Sequence, residues 1–135
     1  MKSKNQNNHY KLLFISHSGR LKGGAQYSLL NILKYLSKQN FDIFVSMPSF
    51  DGLEVPVKKL GIKVINIHSF NWNSFKNGNI YNSVKHNIAC FIDIFFTMYF
   101  IKKYKVDLVI TNTIFPFSGA LASKILGIKH LWVIR

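Results

Sequence analysis

One ten-residue segment concentrates the chemistry this chain can offer: His17-Ser18-Gly19-Arg20-Leu21-Lys22-Gly23-Gly24-Ala25-Gln26. Gly23 and Gly24 can take φ > 0 and let a ligand come close to the backbone. A helix starting there presents unpaired N–H groups and a partial positive charge. Together these suit a phosphate or diphosphate, and Lys22 and Arg20 add positive charge nearby. The segment is neither G-x-G-x-x-G nor a Walker A loop, because G-K-[ST] is missing. A tight strand-to-helix turn with no ligand is the competing account. His17 stands just past an apolar run, where a lone histidine serves more often as a structural hydrogen-bonder than as a catalyst. His9, His68, His86 and His130 are not spaced as metal ligands, so no metal is expected.

The elements around this segment alternate. Lys11–Ser16 is a short apolar run and reads as a buried strand. Gly24–Lys38 carries Ala25, Leu29, Leu33 and Leu36 at helical spacing. Asp42–Met47 is β-branched and aromatic, and Pro48 ends it. Gly52–Leu60 predicts a short helix with Pro56 in its first turn, stopped by Gly61. Lys63–Ile67 is a third strand, Ser69–Asn79 a loop and Ile80–Tyr104 a long helix. Val106–Thr111, Phe117–Leu126 and Lys129–Ile134 complete a strand, a helix and a last strand. Strands and helices in alternation imply an α/β chain: a doubly wound, mostly parallel sheet covered on both faces. Ligands of such sheets bind beyond the carboxyl ends of the strands. That places His17–Gly24, Pro48–Asp51 and Asn112–Ser118 around one site.

Composition limits the alternatives. The 135 residues amount to about one domain, and 48% of them are hydrophobic, which excludes a disordered chain. Residues 1–10 form a polar tail without an apolar signal core, and residues 11–135 form the domain. Cys90 is the only cysteine, so a disulfide scaffold is excluded. A cytoplasmic location is the expectation. Eighteen Lys and Arg against 5 Asp and Glu leave a net charge of +13. Nucleic acid, an acidic membrane surface and a phosphate-bearing substrate all fit that sign. The lysines are scattered and no nucleic-acid motif is present, so no specific nucleic-acid partner is expected.

Leu12–Leu36, with Ser-His-Ser, Gly-Gly-Ala-Gln and Ser-Leu-Leu-Asn-Ile-Leu, resembles the start of glycosyltransferase family 4 enzymes. Gly52-Leu53 through Gly61-Ile62, Asp107 through Thr113, Gly119-Ala120-Leu121-Ala122, Gly127-Ile128 and Leu131–Ile134 follow in that family's order. The resemblance implies the Rossmann-like N-terminal domain of a GT-B-fold enzyme. It assigns the donor diphosphate to Gly23 and Gly24. His17, Ser18, Ala25, Gln26, Asn112, Thr113 and Arg135 become candidates for substrate contact. Thr111-Asn112-Thr113 departs from the histidine that many relatives carry there, and resembles a polysaccharide-type subgroup. Asn112 and Thr113 either hydrogen-bond sugar hydroxyls or only end the strand and shape the turn.

The resemblance further implies retaining transfer from a nucleotide sugar, which is a substrate and not a cofactor, to a glycan or lipid-linked acceptor in cell-surface polysaccharide synthesis. No cofactor is implied, and no nucleophile is assigned. The family's C-terminal domain binds the donor through a Glu-x7-Glu motif, which this chain does not contain. The isolated chain is therefore expected to be inactive without a partner chain or further domain supplying that half. A non-catalytic nucleotide- or phosphate-binding module, or a truncated inactive fragment, is the alternative. Ile88–Ile101 (IACFIDIFFTMYFI) is apolar almost all round, yet shorter than the about 20 residues a spanning helix needs. Packing on the sheet is the plain account. A surplus apolar face beside Lys102, Lys103 and Lys105 would suit peripheral contact with an anionic inner membrane surface.

Overall fold

The computed structural model of the chain describes residues 9–67 and 80–134. The order is β1 (Tyr10–Ser16), α1 (Gly24–Leu36), β2 (Phe41–Met47), α2 (Glu54–Lys59), β3 (Lys63–Asn66), α3 (Ile80–Tyr104), β4 (Leu108–Asn112), α4 (Ser118–Leu126) and β5 (Lys129–Val133). The expected loop over Ser69–Asn79, residues 1–8 of the expected tail, and Arg135 lie outside the described residues. β1 starts at Tyr10, and His9 pairs with Asp42 at 3.2 Å, so the polar tail gives way to ordered chain before residue 11.

The strands form one five-stranded sheet in the order β3-β2-β1-β4-β5. Every pairing is parallel, with Leu12 opposite Ile43 on one side and Leu108 on the other. The sheet is thus wholly parallel, a Rossmann-like α/β arrangement. Period-two alternation along β1 explains its two cores. Leu12 and Phe14 face Leu29 and Leu33 of α1, Val45 and Met47 of β2, and Val57 of α2. Leu13 and Ile15 face the other way, toward Ile94 and Ile101 of α3, Val109 of β4 and Ala122 of α4. One strand buried on both faces reads as a continuous apolar run, as KLLFIS does.

Local chemistry fixes the joints. The Glu54 carboxylate accepts from the Gly52 N–H at 2.9 Å, which pins the turn leading into α2, and Pro56 sits in its first turn as expected. The Asp107 carboxylate accepts from the Lys11 N–H at 2.8 Å and fixes the entry to β4 beside β1. Gly119 in α4 lies against Ile15, Val109 and Thr111, so that helix meets the sheet almost backbone to side chain.

α3 is the exception to two-sided burial. It packs Ile94, Thr97 and Ile101 inward, and the Tyr104 ring lies 4.7 Å from that of Phe44 of β2 at a 30° tilt. Its outer surface leaves Phe91, Phe95, Phe96 and Tyr99 exposed. No helix among the described residues is long and apolar enough to cross a membrane.

Candidate functional site

The strand order reverses between β1 and β4, and a parallel sheet opens a crevice at the carboxyl ends there. A cleft of about 590 Å³ occupies that position. One wall is the segment from His17 to Gln26. The other is Thr113, Ile114 and Phe115, with Ile134 beyond β5. None of the described residues lining it is acidic.

His17 joins the two walls. Its Nε2 lies 3.2 Å from Gln26 Nε2 and its Nδ1 lies 3.1 Å from Thr113 Oγ1. The Gln26 amide donates to Nε2, so the ring proton sits on Nδ1, beside the Thr113 hydroxyl. The Phe115 ring tilts at 46° with its centroid 5.7 Å away. Burial lowers the His17 pKa below the ordinary 6.5, opposed by the Asn112 backbone hydrogen bond. His17 is therefore a neutral, oriented imidazole near neutral pH, held from both sides.

Thr113 contributes more than a hydroxyl. Its φ is 80°, a left-handed conformation in which a β-branched residue is a true outlier. Its N–H donates to Val133 O at 2.9 Å, which pins the turn. Such strain costs about 1–3 kcal/mol and gathers at ligand sites. Here it turns the Thr113 hydroxyl toward His17.

The other end of the cleft is built for an anion. Gly23 caps α1 with φ 90° and ψ 159°, a region open essentially to glycine alone. No side chain caps the helix, and its first turn holds no acid, so the leading N–H groups and the positive end of the helix dipole stay available. Lys22 stands beside them. Arg20 also borders the cleft, but its Nε bonds the Asp51 carboxylate at 2.6 Å. Asp51 thereby offsets part of the charge that Arg20 brings.

The fold brings together His17, Ser18, Gly23, Gly24, Ala25, Gln26 and Thr113 around this one cleft. Asn112 stands apart. Its side chain is only 1% exposed and its amide donates to the Ala25 carbonyl at 3.2 Å, so it ties β4 to α1 instead of reaching the cleft. Arg135 lies outside the described residues. Ile114 and Phe115 line the cleft from within the Asn112–Ser118 loop expected there, and Ile134 joins them from beyond β5; their apolar types carry no signal of their own. Among the described residues no three His, Cys, Asp or Glu side chains gather as a metal site.

The lowered histidine pKa values make stability depend on pH. Burial lowers His130 as well, where Nε2 sits 2.8 Å from Thr111 Oγ1. A histidine whose folded pKa is depressed binds fewer protons folded than unfolded. Its full contribution is present above 6.5, the unfolded value, and is lost as pH falls through the folded value. The melting temperature is therefore expected to fall as pH drops from about 7.5 to about 5. Glutamine at either histidine should flatten that profile.

No family model matches the chain, and no curated protein matches it. Solved structures do share its fold. The Acinetobacter baumannii MurG structure aligns with TM-score 0.68 and 20% identity over 91% of this chain and 34% of its own. A glycosyltransferase from Rickettsia africae aligns with TM-score 0.69 and 24% identity over 93% of this chain and 29% of its own. Anabaena HepE, solved with UDP, aligns with TM-score 0.62 and 19% identity over 90% of this chain and 28% of its own. At these identities the likeness is one of fold. The chain spans about a third of the length of the structures it matches.

Proposed function

We propose that this chain is the N-terminal, acceptor-side half of a GT-B glycosyltransferase resembling family 4, using a nucleotide-sugar donor. The observation that carries the reading is the acid-free cleft at the β1/β4 switch point, with an uncapped helix N-terminus at one end and His17 and Thr113 at the other. A fold shared with a protein solved in complex with UDP supports it. In this reading the donor diphosphate lies against the Gly23 and Gly24 backbone and the start of α1. Transfer breaks the bond between the anomeric carbon and a phosphate oxygen and forms one from that carbon to an acceptor hydroxyl oxygen, whose proton is released, leaving negative charge on the departing diphosphate. The helix end and Lys22 stabilise that charge, which grows toward the transition state.

His17 holds its Nδ1 proton against the β4 turn and so presents a fixed, neutral ring to the sugar. Thr113 and Gln26 position it. The acceptor, a glycan or lipid-linked sugar in cell-surface polysaccharide synthesis, enters from the side of Ile114 and Phe115. Residues 11–135 make up this half, with Arg135 at its far end as a further substrate contact. A donor-binding domain completes the enzyme, as a further segment or as a partner chain, and retention of configuration follows the family.

The test is an amide NMR titration of the 135-residue chain with UDP, with uridine as control. The amides of Gly23, Gly24, Ala25 and Gln26 are expected to shift with UDP and far less with uridine. Equal shifts with uridine, or shifts confined to other regions, would overturn the assignment. Phosphate-dependent shifts with no transfer after pairing to a donor-binding half would favour a binding-only module.

A further inference from the structure

The outer surface of α3 serves no purpose in the cleft and shares no residue with it. Val84, Ile88, Phe91, Ile92, Phe95, Phe96 and Tyr99 are all exposed large apolar residues, Phe95 at 71%. At 100° per residue they fall within an arc of about 140°, running about 22 Å along the helix. An apolar stripe of this kind on a chain surface marks contact with another phase or partner.

We propose that this face of α3 lies in the surface of a membrane containing anionic lipid. Charge decides the occupant. Lys102 and Lys103 continue the same arc one turn past Tyr99, and Lys105 follows. Lys103 Nζ sits 5.4 Å from the Tyr99 ring centroid, so its ammonium lies beside the apolar stripe. The helix's one acid, Asp93, points the opposite way and is 4% exposed. Among the described residues of the helix the charges beside the stripe are thus cationic, the pattern of a helix lying in a lipid interface. Pairing with a second copy would bring two chains of +13 together against their mutual repulsion. α3 is not apolar enough to span, so it lies along the surface. This inference stands independently of the donor cleft.

Co-sedimentation of the full chain with vesicles tests it. Binding is expected to vesicles of phosphatidylcholine mixed with phosphatidylglycerol at low salt, and to weaken as salt rises. Phosphatidylcholine alone should bind little. Phe95→Glu is expected to lower binding at least tenfold. Its melting curve should stay unchanged, since the side chain is exposed. Lys102→Gln with Lys103→Gln should lower binding about thirtyfold. Failure of the unmodified chain to bind phosphatidylglycerol vesicles at low salt would overturn the proposal, as would undiminished binding by a folded Phe95→Glu chain. A stable dimer that ignores such vesicles would assign the face to a second copy and overturn it equally.

Discussion

In a chain carrying Gly23→Ala, UDP is expected to bind at least tenfold more weakly, and the melting temperature to fall by several degrees. Two effects act together. The backbone at Gly23, φ 90° and ψ 159°, is open essentially to glycine, and an added Cβ would stand 3.3 Å from Gln26 Oε1. Holding alanine there costs about 1–3 kcal/mol. Relaxing it turns the first peptide groups of α1 away from the cleft and pushes on Gln26, which orients His17. Either route weakens an anion at the helix start, and each 1.4 kcal/mol is about tenfold. The titration above reads the affinity, and calorimetry reads the stability. Unchanged UDP affinity in the alanine chain would remove Gly23 from the diphosphate site. Gly24→Ala is the stability control, because nothing lies within 4 Å of its added Cβ.

Gly119→Leu is expected to abolish cooperative folding. A Cβ at Gly119 would meet the Ile15 side chain, stand 2.9 Å from Thr111 Oγ1 and 3.3 Å from Val109 Cγ1. These belong to β1 and β4, the two central strands, so the helix cannot yield without leaving the sheet. Overpacking by a few methylene groups already costs about 1–3 kcal/mol. Leucine adds a whole branched side chain to a domain whose total stability is on the order of 5–15 kcal/mol. Urea unfolding followed by circular dichroism measures the loss. Gly119→Ala should give a smaller but clear shift in midpoint, and a leucine chain of unchanged midpoint would show that α4 rides more loosely than described.

The order and type of the elements were legible in the sequence because each rests on local signals. KLLFIS reads as a buried strand from six neighbouring residues, and α3 matches its expected span, Ile80–Tyr104, at both ends. β4 shifts slightly, from Val106–Thr111 to Leu108–Asn112, since Lys105 takes φ 53° and Asp107 is still turning to reach Lys11. The two-glycine loop was equally readable, as was its place after the first strand. The network around it was not. His17 meets Thr113 across 96 positions of chain, and Asn112 meets Ala25 across 87. No spacing rule reaches that far. Asn112 and Thr113 are adjacent and both polar, yet the left-handed turn sends one to the cleft and the other into a bond with α1. Arg20 looked like a free cation until the loops after β1 and β2 came together and set it on Asp51.

The central place of β1 also sets a timetable. Among the described strands it is made first, and β2 covers one of its edges after a short crossover. The other edge waits for β4, since Leu12 pairs with Leu108. At about 5–20 residues per second that partner emerges roughly 5–20 seconds later. Through most of that interval Leu13 and Ile15 lack β4 and the α3 and α4 residues that bury them. A growing chain therefore carries an open, strongly apolar strand edge, the kind that other nascent chains can extend. Closing a contact so distant in sequence is also slow once synthesis ends. The hazard in the life of this protein lies at its birth, and slowing translation between β3 and β4 would lengthen it.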